Sequence, residues 1–133
     1  MLSKFTYPPK IIGLSETNIQ ADKRDAFIPT LKGYDFVRDD SKLRVGGSGI
    51  FIKSNLDFTI RKDLYLNVND CENVWVEISA ENKKIVVASV YRHPRYNFSE
   101  YQDALLKTLE NIYVKKQLFL YFGRYELELA QVL

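Results

Sequence analysis

The sequence predicts an α/β fold in which a β-sheet packs on a second sheet or on a helix. Three observations carry this reading. Strand-like patterning dominates between Lys10 and Gly123, 14% of the residues are aromatic, a bias that suits pleated, half-buried surfaces, and residues 97–116 alone show sustained helical periodicity. With 133 residues the chain fits a single domain of ~100–150 residues. No internal repeat, low-complexity tract or linker divides it, so residues 1–133 read as one domain.

In chain order, Lys10–Ser15 (KIIGLS) follows Pro8-Pro9 and closes on Glu16-Thr17-Asn18, which suits a buried strand delivering a carboxylate at its C-terminal end. Residues 19–33 are charged, with apolar positions at Ala26, Phe27 and Leu31 and an interruption at Pro29, so a helix there is expected to be short or broken. Tyr34–Asp40 alternates apolar residues with charges and reads as a half-buried strand. The following SKLRVGGSG is a loop, and Ile50–Lys53 returns as a strand. Turn chemistry at Ser54-Asn55 leads to a further strand at Phe58–Arg61. NVWVEIS and KKIVVASVYR flank Glu81-Asn82 as the two arms of a hairpin. After Pro94, Ser99 and Gln102 have capping-box spacing, and Tyr101, Leu105, Thr108, Leu109 and Ile112 line one face of a helix. QLFLYFG then reads as an apolar strand ending at Gly123.

Composition narrows the chemistry. Nineteen Lys and Arg against seventeen Asp and Glu give a net charge of +2, too balanced for bulk attraction to polyanions, so any nucleic-acid contact is local. One cysteine, Cys71, and one histidine, His93, exclude an intrachain disulfide, a thiolate zinc cluster and a His-rich metal centre. No apolar run approaches the ~20 residues of a membrane span, and the N-terminus lacks the apolar core of a secretory signal. A soluble, intracellular protein is expected.

Four features bear on function. Glu16, at a strand tip, has the placement of a ligand for a hard cation such as Mg²⁺, although a strand-end glutamate is also ordinary solvated surface. Gly46-Gly47-Ser48-Gly49 lacks the Lys-Ser/Thr step and the helix of a P-loop; small residues there suit positive φ or close backbone packing. Val90–Arg95 (VYRHPR) gathers Tyr91, Arg92, His93 and Arg95 at a strand end, a set of donors suited to a phosphodiester and equally a solvated loop stopped by proline. Trp75, Phe119, Tyr121 and Phe122 have faces for stacking bases, but their apolar neighbours indicate core packing.

In order and spacing, IIGLSETNI, GYDFVRDDSKLRVGGSGIFIK, NVWVEI, IVVASVYRHP and LFLYFG resemble the endonuclease/exonuclease/phosphatase superfamily, and most closely its branch in LINE-type non-LTR retrotransposons. The resemblance runs from about Lys10 to Gly123. It implies a two-sheet sandwich flanked by helices, incomplete here at both ends, and Mg²⁺-dependent phosphodiester hydrolysis on DNA, with a nuclear location if the chain acts as a retrotransposon endonuclease. By resemblance Glu16 of SET matches the metal-binding glutamate, Tyr91 matches the catalytic tyrosine that contacts the scissile phosphate, and Arg92 is expected near the DNA backbone.

The chain also departs from that pattern. The strand bearing the family's active-site asparagine would precede Lys10. Arg124-Tyr125-Glu126 stands where the family reads Asp-Phe-Asn, and the later Asp-His pair is missing. Residues 124–133 thus read as a divergent tail, with Glu126 and Glu128 as the available substitute carboxylates. The expectation is a truncated endonuclease domain with little or no activity of its own, and the alternative is a noncatalytic module that binds nucleic acid or protein through Arg92, Arg95, Lys115 and Lys116. A third reading is a decayed relic. Truncation after an apolar strand further implies an exposed sheet edge and self-association.

Overall fold

The computed structural model describes residues 9–22, 28–94, 98–115 and 118–123. In chain order they form β1 (Ile11–Ser15), β2 (Tyr34–Asp39), β3 (Ser48–Lys53), β4 (Asp57–Ile60), a 3₁₀ turn (Lys62–Leu64), β5 (Cys71–Ala80), β6 (Lys83–Arg92), α1 (Phe98–Val114) and β7 (Leu118–Gly123). Two sheets result. One has the order β1-β3-β2, all antiparallel. The other has the order β4-β5-β6-β7, antiparallel except for the final β6–β7 pair, which is parallel and spans the crossover through α1.

Strand periodicity explains the layers, because alternate side chains point to opposite faces. Val74, Val76 and Ile78 of β5 and Val87 of β6 meet Val37 of β2 and Ile50 and Ile52 of β3 in the core between the sheets. The intervening residues Trp75, Val86, Ala88 and Val90 face the other way and pack with Leu64, Leu66, Tyr101 and Ile112. The order is therefore sheet, sheet, helix. Trp75 is a core residue whose Nε1 donates to Asn73 Oδ1 at 2.8 Å, which satisfies the indole N–H where no solvent reaches.

The hairpin forms where expected. Glu81 and Asn82 have φ of 52° and 62°, the two successive left-handed residues that match a two-residue turn to strand twist. On α1, Tyr101 and Ile112 are buried and Leu105 and Leu109 pack against the same cluster, as the periodicity requires. The helix begins at Phe98, so Ser99 lies inside its first turn and the Ser99–Gln102 spacing does not mark the cap.

The short or broken helix expected within residues 19–33 falls largely on residues 23–27, which lie outside the described set. Before them, Ile19 and Gln20 lie extended beside Ser41, with Ser41 N–H donating to Ile19 O at 2.8 Å and Ala21 N–H to Ser41 O at 2.9 Å. One expectation needs correction: the sandwich is flanked by one helix among the described residues, on the four-stranded sheet alone. No described helix is long and apolar enough to cross a membrane.

Candidate functional site

The C-terminal ends of β1, β2, β6 and β7 and the N-terminal ends of β3 and β5 lie at one end of the sandwich. The residues singled out from the sequence converge there. On β6, Val87, Ser89 and Tyr91 share the face toward the other sheet, and Tyr91, 3% exposed, reaches across the sandwich. Its hydroxyl donates to Glu16 Oε1 at 3.0 Å, joining residues 75 positions apart in the chain.

Two residues earlier on β6, Ser89 anchors the same approach. Ser48 Oγ of β3 donates to Ser89 Oγ at 2.8 Å, and Ser89 Oγ donates to the Leu14 carbonyl of β1 at 3.0 Å. These hydroxyls connect the sheets where a purely apolar contact would leave the Leu14 carbonyl without this donor.

Glu16 leaves β1 in the left-handed region, with φ of 55°, and Asn18 does the same at 57°. Such residues are uncommon outside glycine and recur at functional sites. Facing them is the turn at Gly46 and Gly47, with φ of 113° and 94°. A Cβ on Gly47 would collide with Thr17 Oγ1, and one on Gly46 would lie 2.5 Å from Glu72 Oε1. Close approach and positive φ both demand glycine, in agreement with the reading of this segment as a tight turn rather than a phosphate loop.

His93 is 7% exposed and Glu72 5%. His93 Nε2 lies 2.9 and 3.1 Å from the two carboxylate oxygens of Glu72, and the imidazole stands edge-on to the Tyr91 ring with centroids 5.0 Å apart. The VYRHP segment is therefore no solvated loop at Tyr91 or His93. Neither member of this pair was singled out as a partner of the other from sequence. Counting outward from the Glu81-Asn82 turn would have placed Glu72 opposite Tyr91, as the observed register does.

Arg92 points to the opposite face of β6. Its guanidinium carbon lies 5.1 Å from the Phe98 ring centroid and 5.7 Å from that of Tyr101, so the side chain spans from the strand end to the first turn of α1. The structure thus brings Glu16 and Tyr91 together and sets Arg92 against the helix. Arg95, Lys116, Glu126 and Glu128, and the side chains of Phe119, Tyr121 and Phe122, lie outside the described residues.

A polar cavity of about 630 Å³ adjoins Glu72 and is lined by Asp39, Asp40, Lys42, Asn69 and Asp70 among others. Asp39 Oδ2 accepts the Asn73 N–H at 2.8 Å. Burial nevertheless holds the Asp39 carboxyl above its usual value, with Glu72 nearby adding to the rise and the Asn73 hydrogen bond opposing it.

Among the described residues no three His, Cys, Asp or Glu side chains gather as a metal cage. What the site offers is one carboxylate at a strand tip beside a phenol. That donor set fits Mg²⁺, which keeps several waters and is commonly held by one or two carboxylates together with substrate phosphates.

No protein-family model matches the chain, and no curated protein does. Among solved structures, the endonuclease domain of TRAS1, a telomere-specific non-LTR retrotransposon, is similar at a TM-score of 0.53 and 17% identity, over 68% of this chain and 41% of that one. The human Nocturnin catalytic domain with bound sulfate is similar at a TM-score of 0.57 and 18% identity, over 86% of this chain and 50% of that one. The chain spans half or less of the length of these structures. In fold, this chain is similar to parts of these two catalytic domains.

Proposed function

We propose that this chain carries part of a metal-dependent DNA endonuclease site of the retrotransposon type, acting on phosphodiesters in the nucleus. The observation that supports this most is the hydrogen bond from Tyr91 to Glu16. Two sheets are joined there to set one carboxylate and one phenol at the same strand ends, which is more than either residue needs as surface or core.

In this reading Glu16 is the Mg²⁺ ligand and Tyr91 the phosphate-contacting residue. Mg²⁺, when bound, supplies Lewis-acid polarisation of a phosphoryl oxygen. Burial fixes the Tyr91 ring, while its hydroxyl, which donates to Glu16 here, would turn its one proton to a phosphate oxygen once Glu16 holds the metal and so meet developing charge there. Arg92, braced on Phe98 and Tyr101 on the opposite face of β6, would contact the DNA backbone past the strand end, away from the Glu16 carboxylate.

Displacement at phosphorus also needs a positioned water and a base, and Arg124-Tyr125-Glu126 follows β7 where the resembling family has Asp-Phe-Asn. Lack of a general base costs about 10²–10⁴ in rate, so the chain by itself is a poor nuclease. Conversion of supercoiled plasmid to nicked circles with Mg²⁺ should not differ between the wild type and Glu16→Ala. Robust nicking abolished by Glu16→Ala would show a complete site and overturn this part of the proposal.

The arginine in place of an acid also favours a second reading, a noncatalytic module that uses the same surface to bind nucleic acid. Self-association through the outer edge of β7 is part of the proposal; β6 is its only strand neighbour among the described residues.

A further inference from the structure

We propose that Glu72 and His93 are positioning residues: as a buried pair they seat the Gly46–Gly47 turn and, through it, hold the Glu16 carboxylate against Tyr91. This rests on the reading of Glu16 and Tyr91 as the functional pair and adds two residues that touch neither metal nor phosphate in that reading.

The argument begins with cost. A carboxylate and an imidazole out of water are unfavourable unless each is hydrogen-bonded. Glu72 meets this with the two contacts to His93 Nε2 and with a third bond, accepted by Oε1 from the Gly47 N–H at 2.7 Å. His93 is in turn fixed by its backbone N–H, which donates to the Asp70 carbonyl at 3.0 Å. The pair therefore grips the turn as well as itself.

The turn lies directly on the pair. A Cβ on Gly46 would stand 2.7 Å from both His93 Cε1 and His93 Nε2, so Gly46 backbone rests on the imidazole with no side chain between. From its other side the turn holds the Glu16 bend. Asn18 N–H donates to Gly46 O at 2.7 Å, Gly46 N–H donates to Asn18 Oδ1 at 3.0 Å, and Thr17 N–H donates to Gly47 O at 3.4 Å. Left-handed backbone at Glu16 and Asn18 is unfavourable for residues with a Cβ, and these bonds offset that cost.

The circuit then closes. Glu16 accepts from Tyr91, and Tyr91 packs edge-on against His93. Following the contacts from Glu72 through the glycine turn, Asn18, Glu16, Tyr91 and His93 leads back to Glu72. If the pair merely filled the core, its loss would lower stability and leave the Tyr91–Glu16 bond intact in molecules that remain folded. If it positions the site, its loss moves that bond.

The test compares Glu72→Ala, Glu72→Gln and Asn18→Gly with wild type, read by the NMR signal of ¹³C-labelled Tyr91 and by Mn²⁺ affinity, below each variant's melting transition. Glu72→Gln keeps an acceptor for Gly47 and a donor for the imidazole, so it should retain the wild-type Tyr91 signal. Glu72→Ala should shift that signal toward the one seen in Glu16→Ala and weaken Mn²⁺ binding by about 10–100-fold, the range for losing groups that orient a ligand. Asn18→Gly tolerates the left-handed φ and removes only the Asn18 side-chain link, so it serves if Glu72→Ala does not fold and should shift Tyr91 in the same direction. A wild-type Tyr91 signal in folded Glu72→Ala, or in Asn18→Gly where the former does not fold, would overturn the positioning role. Absence of Mn²⁺ binding in the wild type, with the Tyr91 shifts as expected, would overturn the metal reading alone.

Discussion

The hydroxyl of Ser48 on β3 donates to the hydroxyl of Ser89 on β6 at 2.8 Å, and the Ser89 hydroxyl donates in turn to the Leu14 carbonyl on β1 at 3.0 Å. Both serines are buried. A side-chain chain of this kind, spanning two sheets, fixes how their ends meet, and the Glu16–Tyr91 pair stands two residues farther along both β1 and β6. Ser89→Ala removes the nearer hydroxyl donor of the Leu14 carbonyl and leaves it the longer contact with Ser48 Oγ at 3.4 Å, a net hydrogen-bond loss of about 0.5–1.5 kcal/mol. Urea unfolding should show a loss of that order, while Ser48→Ala, which leaves the Ser89–Leu14 bond in place, should cost less.

Gly33 and Gly47 provide a matched comparison. Both have positive φ, 85° and 94°, but a Cβ on Gly33 meets nothing within 4 Å, whereas one on Gly47 collides with Thr17 Oγ1. Gly33→Ala should lose only the backbone term, about 1–2 kcal/mol. Gly47→Ala should lose more, and it should also perturb the Glu16 bend. Equal losses in the two variants would show that the close approach to Thr17 carries no energy.

Arg92→Ala removes the contact of this half-buried side chain with the Phe98 and Tyr101 rings and should lower stability by at least about 0.5–1 kcal/mol in thermal or denaturant unfolding. It should also weaken residual binding to duplex DNA, measured by fluorescence anisotropy over a salt series. Binding that rests on a few phosphate contacts falls as salt rises. Salt-independent binding would contradict a phosphate-directed role for Arg92.

Two carboxylates should respond to acid in opposite directions. Asp39 is held above its ordinary 3.8 by burial, so its ionisation opposes folding: the penalty is absent well below 3.8 and grows as pH rises through the folded-state value. Asp63 is held below 3.8 by its hydrogen bonds to Arg61, so its contribution is present above 3.8 and is lost as pH falls through its folded-state value. Asp39→Asn should therefore gain stability relative to wild type at neutral pH and lose that gain in acid. Asp63→Asn should be less stable than wild type at neutral pH and converge with it in acid. Unfolding free energies measured across the acid range will show whether the two differences have these opposite signs.

The elements read most directly from sequence are those whose information is local. Glu81-Asn82 marks its hairpin because two residues that tolerate left-handed backbone separate two alternating runs, and α1 is marked by Tyr101, Leu105, Leu109 and Ile112 recurring on one face. The extended pairing of Ile19 and Gln20 is not legible locally, because its backbone partner, Ser41, lies some twenty positions away. The same distinction governs the site. Glu16 and Tyr91 stand out by motif, but the Glu72–His93 pair exists only once the β5–β6 register sets residue 72 opposite residue 91. Arg92 shares the VYRHP motif with Tyr91, yet alternation along β6 sends the two to opposite faces, one toward Glu16 and the other toward α1.

The central claim is that Glu16 binds a divalent metal and Tyr91 contacts the phosphate beside it. Calorimetric titration of Mg²⁺ into the wild type, Glu16→Ala and Tyr91→Phe, without and then with a short phosphodiester analogue, tests it most directly. The account predicts Mg²⁺ binding in the wild type and in Tyr91→Phe but not in Glu16→Ala, with tighter binding of the analogue on Mg²⁺ addition in the wild type and a weaker response in Tyr91→Phe. Mg²⁺ binding undiminished in Glu16→Ala, or no Mg²⁺ binding in the wild type, would contradict it.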